Sequence, residues 1–259
     1  MTHSPSARSN PVRSAQRKTR AAPIAMAAAM LAAALAGGCG SDSRDRIGHI
    51  WYVDGVGNWG FGVDTVPNGL YAAGYKGHVD IFRWSVTLNP LLDQTMRIFA
   101  RSGGARLSGV VADQLRQYPD APVDLIGLSA GTGVVIWAIE DLKGGQKVRN
   151  AVLLSSSLSN RYDLRRALGN MTGNLYVYYA SRDPVLDGPC RLVGTIDGQF
   201  DSAAGLVGMR GPGSNTGRVV NVGWRSEYSR LGWTGNHTDS TAGPFIRQVV
   251  APNIVGRGG

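Results

Sequence analysis

Reactive side chains of two kinds are scarce in this chain of 259 residues: it has four histidines and two cysteines, Cys39 and Cys190. With one of those thiols inside the first forty residues, the remainder has no internal disulfide and no cysteine-based metal cluster. Cys190 is therefore expected as a small, buried apolar side chain. Acids are also few, 18 against 27 lysines and arginines, for a formal charge of +9. Five of the basic residues and no acid fall within residues 1–38, however, so the rest carries only +4. No stripe of lysine and arginine interleaved with aromatics is present, and nucleic acid is not an expected partner. The chain also lacks a run of the ~20 strongly apolar residues that a membrane span needs. Its longest apolar stretch, residues 21–36, is mostly alanine. Beyond that stretch there is no low-complexity tract, and there is no internal repeat.

What is present near the N-terminus has an order of its own. Arg8, Arg13, Arg17, Lys18 and Arg20 precede the apolar stretch, and Gly37-Gly38-Cys39 follow it. Basic, then apolar, then small residues describe a bacterial export signal, expected over residues 1–38. A cysteine after two small residues resembles the lipoprotein signal, although Leu35 lies four positions before Cys39 rather than three. That resemblance implies that Cys39 is lipidated and anchors an exported cell-envelope protein, periplasm-facing or on the outer membrane. The alternative is an ordinary cleaved signal and a periplasmic or secreted product. Residues 39–47, with Ser41-Asp42-Ser43-Arg44-Asp45-Arg46, read as a polar tether. Residues 48–259 then suit one domain with a sizeable core.

Along that domain, short β-branched or aromatic runs alternate with helical periods. Residues 49–53 and 79–84 read as strands, and residues 102–118 place Leu107, Val110, Val111, Leu115 and Tyr118 at helical spacing before Pro119. Strands are expected again at 123–126, 151–155, 175–180 and 219–222, with helices over 130–142 and 245–250. Residues 61–69, which hold Pro67-Asn68-Gly69, show no helical period. The glycine-rich stretch 187–217 fits no element and reads as a lid, a pocket wall or irregular filler. This alternation predicts an α/β fold, a three-layer sandwich with a mostly parallel sheet flanked by helices. Functional groups on such sheets collect at the C-terminal ends of the strands.

One string, Gly127-Leu128-Ser129-Ala130-Gly131, lies where an expected strand passes into a helix. With 36 glycines and 20 serines, chance alone supplies about 0.4 matches to G-x-S-x-G, so its setting must carry the argument. A glycine-rich turn before a buried helix is the plain alternative. In the functional reading, the flanking glycines let neighbouring chain pass close to a pinched serine. The Ala130 amide, at a helix N-terminus, then faces the place where an oxyanion forms. A nucleophilic serine needs a base, and the base needs an acid to orient it. Among the histidines, His3 belongs to the export signal, while His49 and His78 lie at strand beginnings, the wrong end. His237 follows the last expected strand and is the candidate base. Asp183 directly follows the strand over 175–180, held extended by Pro184, and is the candidate acid. Asp187 and Asp201 are fallbacks, and Asp239 is too close to His237 in sequence.

Ser129, then Asp183 after a later strand, then His237 after the last strand, resemble the α/β-hydrolase family, whose triad runs in that order. The resemblance covers roughly residues 48–250, in a compact form near the size of cutinases and small lipases but without their internal disulfides. It implies a second oxyanion donor in the loop Asp54-Gly55-Val56-Gly57, at Val56 or Gly57, where the family often has His-Gly. It also implies an exported serine hydrolase of carboxylic esters that works through an acyl-enzyme, with no metal and no organic cofactor. The substrate would be a small-molecule or lipid ester, the protein a monomer held at the membrane by its lipid anchor. Thioester hydrolysis, acyl transfer and peptide cleavage are the neighbouring chemistries. Trp59 and Trp233 flank the site in sequence and are candidates to line an acyl pocket. Two other readings stand beside this one. One is a lipoprotein of the same fold that serves only as a binding module, without catalysis. Gly55-Val56-Gly57-Asn58-Trp59-Gly60 also satisfies the dinucleotide fingerprint G-x-G-x-x-G, which needs a helix opening at Gly60 and an acid ending the next strand.

Overall fold

The computed structural model describes residues 43–84 and 97–255, together with Met1. The expected export signal and the lipidation candidate Cys39 lie outside the described residues. Six strands make one sheet: β1 (His49–Val53), β2 (His78–Phe82), β3 (Val123–Leu128), β4 (Ala151–Leu154), β5 (Leu175–Tyr179) and β6 (Val219–Gly223). Their order is β2-β1-β3-β4-β5-β6, and every neighbouring pair is parallel. The expected α/β sandwich is thus the fold found, with helices on both faces.

Parallel strands need crossovers, and crossover helices cover both faces, so the inner strands can be apolar on both sides. Accordingly β1, β3 and β4 are buried along their whole length, while the edge strands β2 and β6 are mostly half-buried. Alternate residues feed opposite cores. Trp51 and Val53 pack with Leu107 and Val134, from helices α2 (Arg97–Gln117) and α3 (Gly131–Asp141). Ile50 and Tyr52 pack with Leu70 of helix α1 (Thr65–Ala72), Trp233 and Phe245 on the other face. The chain closes with contiguous helical turns Gly243–Phe245, Ile246–Val250 and Ala251–Ile254, the middle one π-helical. Among the described residues, no helix is long and apolar enough to cross a membrane.

Four expectations change. Helix α1 runs straight through Pro67-Asn68-Gly69, where no helix was expected. Pro67 is its third residue, within the first turn, where a missing N–H removes no intrahelical bond. Residues 187–217 are not one open loop, because they contain the turns Pro189–Val193 and Ala204–Val207 and a bridge from Ser159 to Ala203. The end of the expected tether is folded: Ser43–Arg46 form a 3-10 turn, and Asp45 there contacts both His49 and His78. Cys190 is half-buried rather than buried, beside a small cluster of Leu186, Ala203 and Leu206.

Candidate active site

The strand order reverses between β1 and β3, whose chains leave in opposite directions around the sheet. In open parallel sheets the crevice beyond the carboxyl ends of such a pair is where ligands bind. Ser129 stands there, at the first position after β3. Its φ is +51°, a left-handed conformation that costs a non-glycine residue about 1–3 kcal/mol and so needs support from its surroundings. Support comes from hydrogen bonds: the Ser129 amide donates to Leu154 O at 2.9 Å, and its carbonyl accepts from the Thr132 amide at 3.1 Å and the Thr132 hydroxyl. Both neighbouring glycines are needed for close approach. A Cβ on Gly127 would lie 2.9 Å from Gly131 and Thr132 main-chain atoms, and one on Gly131 only 2.4 Å from the carbonyl oxygens of Val53 and Asp54. The turn is thereby pressed against the end of β1.

Asp183 and His237 reach this serine from other strand ends. Asp183 follows β5 and caps the short helical turn Pro184–Asp187; its Oδ1 accepts from the amides of Val185 (3.0 Å) and Leu186 (3.1 Å). That leaves Oδ2 to His237 Nδ1, 2.7 Å away, and His237 Nε2 lies 2.8 Å from Ser129 Oγ. A carboxylate can only accept, so Nδ1 carries the proton and the Nε2 lone pair faces the serine hydroxyl. All three groups are buried, Asp183 completely. The His237 loop is held by Asp239, which accepts from the Thr234 hydroxyl and from Asn236 Nδ2. The fallback acids lie elsewhere: Asp187 pairs with Arg191, and Asp201 accepts from the Ser159 hydroxyl.

The loop after β1 lies against the serine. A Cβ on Gly55 would sit 3.4 Å from Ser129 Cβ, and Val56 opens the next turn, Val56–Asn58. Ala130 has helical φ and ψ and caps α3, so its amide is among the donors that a helix N-terminus leaves without an intrahelical partner. The residue that shapes the loop, Asp54, was not singled out on the sequence. It is buried, and its two carboxylate oxygens accept from the amides of Gly55 and Gly60, each at 2.7 Å. Burial raises its carboxyl above the usual range, while those amides and the Arg83 charge act in the opposite sense. An aspartate before glycine at a strand end is the local signal for such a turn.

Two sequence readings do not survive in space. Trp233 is fully buried, stacked on Tyr228 and packed on Phe245, so it belongs to the core and not to a pocket wall. Trp59, by contrast, is 55% exposed. No helix opens at Gly60, and Asp80 is the third residue of β2 rather than its last, so the dinucleotide fingerprint lacks its structural setting.

The sheet order and the serine turn after β3 are those of the α/β-hydrolase fold. No family model and no curated protein matches the sequence. Solved structures similar to this chain include an iodinated complex of an acetyl xylan esterase (13% identity, TM-score 0.44, 79% of this chain and 95% of that one). A cutinase-like protein from Cryptococcus sp. is similar at 13% identity and a TM-score of 0.40, over 79% of this chain and 93% of its own. The catalytic core of an acetyl xylan esterase from Trichoderma reesei is similar at 11% identity and a TM-score of 0.41, over 77% and 97%.

Proposed function

We propose that this protein is an exported serine hydrolase that cleaves carboxylic esters through an acyl-enzyme. The observation that supports it is the unbroken run of contacts from Asp183 through His237 to Ser129 Oγ, at 2.7 and 2.8 Å. As Oγ attacks the ester carbonyl, His237 Nε2 takes its proton, and Asp183 steadies the imidazolium. The amides of Ala130 and Val56 hold the oxyanion, the largest single electrostatic contribution in such reactions. His237 then protonates the leaving alcohol. In the second half it removes a proton from water, which attacks the acyl carbonyl, releases the acid and restores Ser129. No step draws on a metal or an organic cofactor.

The surroundings favour an apolar ester, either a small molecule or a lipid. Trp59 and Phe61 after β1, Val185 after β5 and Trp224 after β6 are large apolar side chains exposed where chain leaves the C-terminal edge of the sheet. The rings of Trp59 and Phe61 lie 6.2 Å apart, and paired exposed apolar side chains at a site's rim are a binding feature more often than scattered ones are. A fluorophosphonate probe should label the protein and fail to label Ser129→Ala. Absence of labelling on folded wild-type protein would favour the non-catalytic binding module. A panel of p-nitrophenyl esters from acetate to palmitate then reads acyl length directly. The export part of the proposal rests on residues 1–39: lipidation at Cys39 would hold a monomer to a cell-envelope membrane. Cys39→Ser should move the protein from the membrane fraction to the soluble fraction, and an unchanged distribution would remove the anchor.

A further inference from the structure

A second group of histidines and carboxylates, at the opposite edge of the sheet, plays no part in the proposed ester chemistry. The parallel register pairs His49 with His78, the first residues of β1 and β2, and their ring centroids are 4.9 Å apart. The turn Ser43–Arg46 brings Asp45 over both rings, with Oδ1 at 2.9 Å from His49 Nδ1 and 2.9 Å from His78 Nδ1. On the far side stands Asp80, with Oδ2 at 3.2 Å from His49 Nε2 and Oδ1 at 3.5 Å from His78 Nε2. His49 is only 4% exposed, lies flat on Trp51 at 3.7 Å, and makes no aligned hydrogen bond through Nε2.

We propose that Asp45, His49 and His78 form a binding site for a divalent transition cation, zinc by its donor set, with Asp80 orienting the two imidazoles. The first reason is charge. The carboxylates of Asp45 and Asp80 set two negative charges against two rings that carry none when neutral, and a neutral imidazole has only one N–H. Two neutral rings that donate from Nδ1 to Asp45 leave Nε2 of the buried His49 without a hydrogen bond and the two carboxylate charges uncancelled. Two further protons or one divalent cation balance those charges, each bringing +2. The cation does so without placing two imidazolium rings side by side. It also puts the proton of each ring on Nε2, the side of Asp80 at 3.2 and 3.5 Å, as in the carboxylate–histidine–metal pattern that fixes tautomer and ring orientation.

Geometry and donor type agree with that choice. Zinc–ligand bonds of about 2.0–2.1 Å in a tetrahedral arrangement set neighbouring donors roughly 3.3 Å apart. The two Oδ1–Nδ1 separations of 2.9 Å lie within a few tenths of an ångström of this, and the three donor atoms all fall within 4.8 Å of one another. Two imidazoles and one carboxylate suit zinc and its transition-metal neighbours, whereas magnesium and calcium prefer sites made of oxygen alone. The bound ion would tie the turn Ser43–Arg46 to β1 and β2, so its expected effect is on stability and not on turnover.

The test is a calorimetric titration of the full chain, purified without a histidine tag and stripped with EDTA, using zinc chloride and, separately, magnesium chloride. One zinc per chain with a micromolar or tighter Kd, at least ~10-fold preferred over magnesium, is expected. His49 is buried and its substitution disturbs the fold itself, so His78→Gln and Asp45→Asn are the informative changes, with circular dichroism as the folding check. Each should weaken zinc at least ~10-fold, and Asp80→Asn about 10- to 100-fold through ring orientation. Zinc should raise the Tm of wild-type protein and not that of His78→Gln. No heat of zinc binding, equal affinity for magnesium, or binding that survives both variants would overturn the assignment. Ester hydrolysis by the same zinc-free variants should match wild type, so this result and the failure of the proposed hydrolase activity are separable.

Discussion

The two edges of the sheet carry the same pair of groups and differ in what faces the second ring nitrogen. At the C-terminal edge, His237 has a carboxylate at Nδ1 and a hydroxyl at Nε2. At the N-terminal edge, His49 and His78 have carboxylates near both nitrogens. Histidine–aspartate distances of 2.7 and 2.9 Å therefore say little by themselves about chemistry. A hydroxyl opposite the carboxylate gives the imidazole a proton to take, and so a nucleophile to activate. A second carboxylate offers no such proton and leaves the ring suited to holding a cation. Backbone strain follows the same division: the left-handed Ser129 and Ser155 fall directly after β3 and β4, at the C-terminal edge.

The largest test of this contrast removes the nucleophile and, separately, the other histidines. Ser129→Ala should lower kcat for ester hydrolysis by ~10⁴–10⁶-fold, and Asp183→Asn by about 10⁴-fold through the wrong imidazole tautomer. His78→Gln should leave kcat within a factor of about two. Loss of turnover in His78→Gln comparable to that in Ser129→Ala would erase the distinction between the edges. Next comes a change that should affect folding and spare chemistry. Asp124, fully buried near the start of β3, accepts from Arg149 Nε at 3.0 Å and from the Asn150 amide at 2.9 Å. Asp124→Ala would leave Arg149 without a carboxylate, with only the Ile254 carbonyl to accept from it, a loss of about 3–5 kcal/mol by denaturant titration, with unaltered KM in the protein that remains folded.

A smaller effect is expected where the two edges' demands on the backbone differ. Gly131→Ala would drive a methyl group against the carbonyls of Val53 and Asp54. Relief of that contact shifts the Ser129 turn, at a cost of about 1–3 kcal/mol in stability and ~10²-fold in kcat/KM. Gly74→Ala is the control near the N-terminal edge: its φ of +96° strains a side chain, but nothing lies within 4 Å of the added carbon. It should cost stability alone, read as a lower Tm with unchanged kcat/KM.

The C-terminal edge was far more legible in the sequence than its opposite. Gly127, Ser129 and Gly131 form a local signal, because the close approaches they permit occur within one turn. His237 and Asp183 emerged because few histidines existed and because each follows a strand that could be read from β-branched and aromatic residues. His49 and His78 were recognised as lying at strand beginnings, yet their partnership depends on the register of β1 on β2, which no local pattern encodes. Asp45 was hidden by its polar neighbours, which read as a tether. Trp233 was misread because flanking a site in sequence says nothing about which face of the sheet a side chain enters. Helix α1 was missed since Pro67 breaks a helix only beyond the first turn.

Cys190 offers the finest measurement of the C-terminal edge, because it reports on Asp183 without taking part in the chemistry. Burial, and secondarily the Asp183 charge, push its thiol from 9.0 up to about 11. At pH 8 that leaves about 100-fold less thiolate than an unperturbed thiol has, and the thiolate is the species that alkylates. Iodoacetamide should therefore modify Cys190 in folded protein at least ~100-fold more slowly than in urea. Asp183→Asn removes the weaker of the two causes, so the rate should rise by a few-fold and stay far below the unfolded value. His78→Gln, at the other edge, should not change it. A rate that responds equally to both variants would mean that Cys190 senses loosening of the whole domain instead of the Asp183 carboxylate.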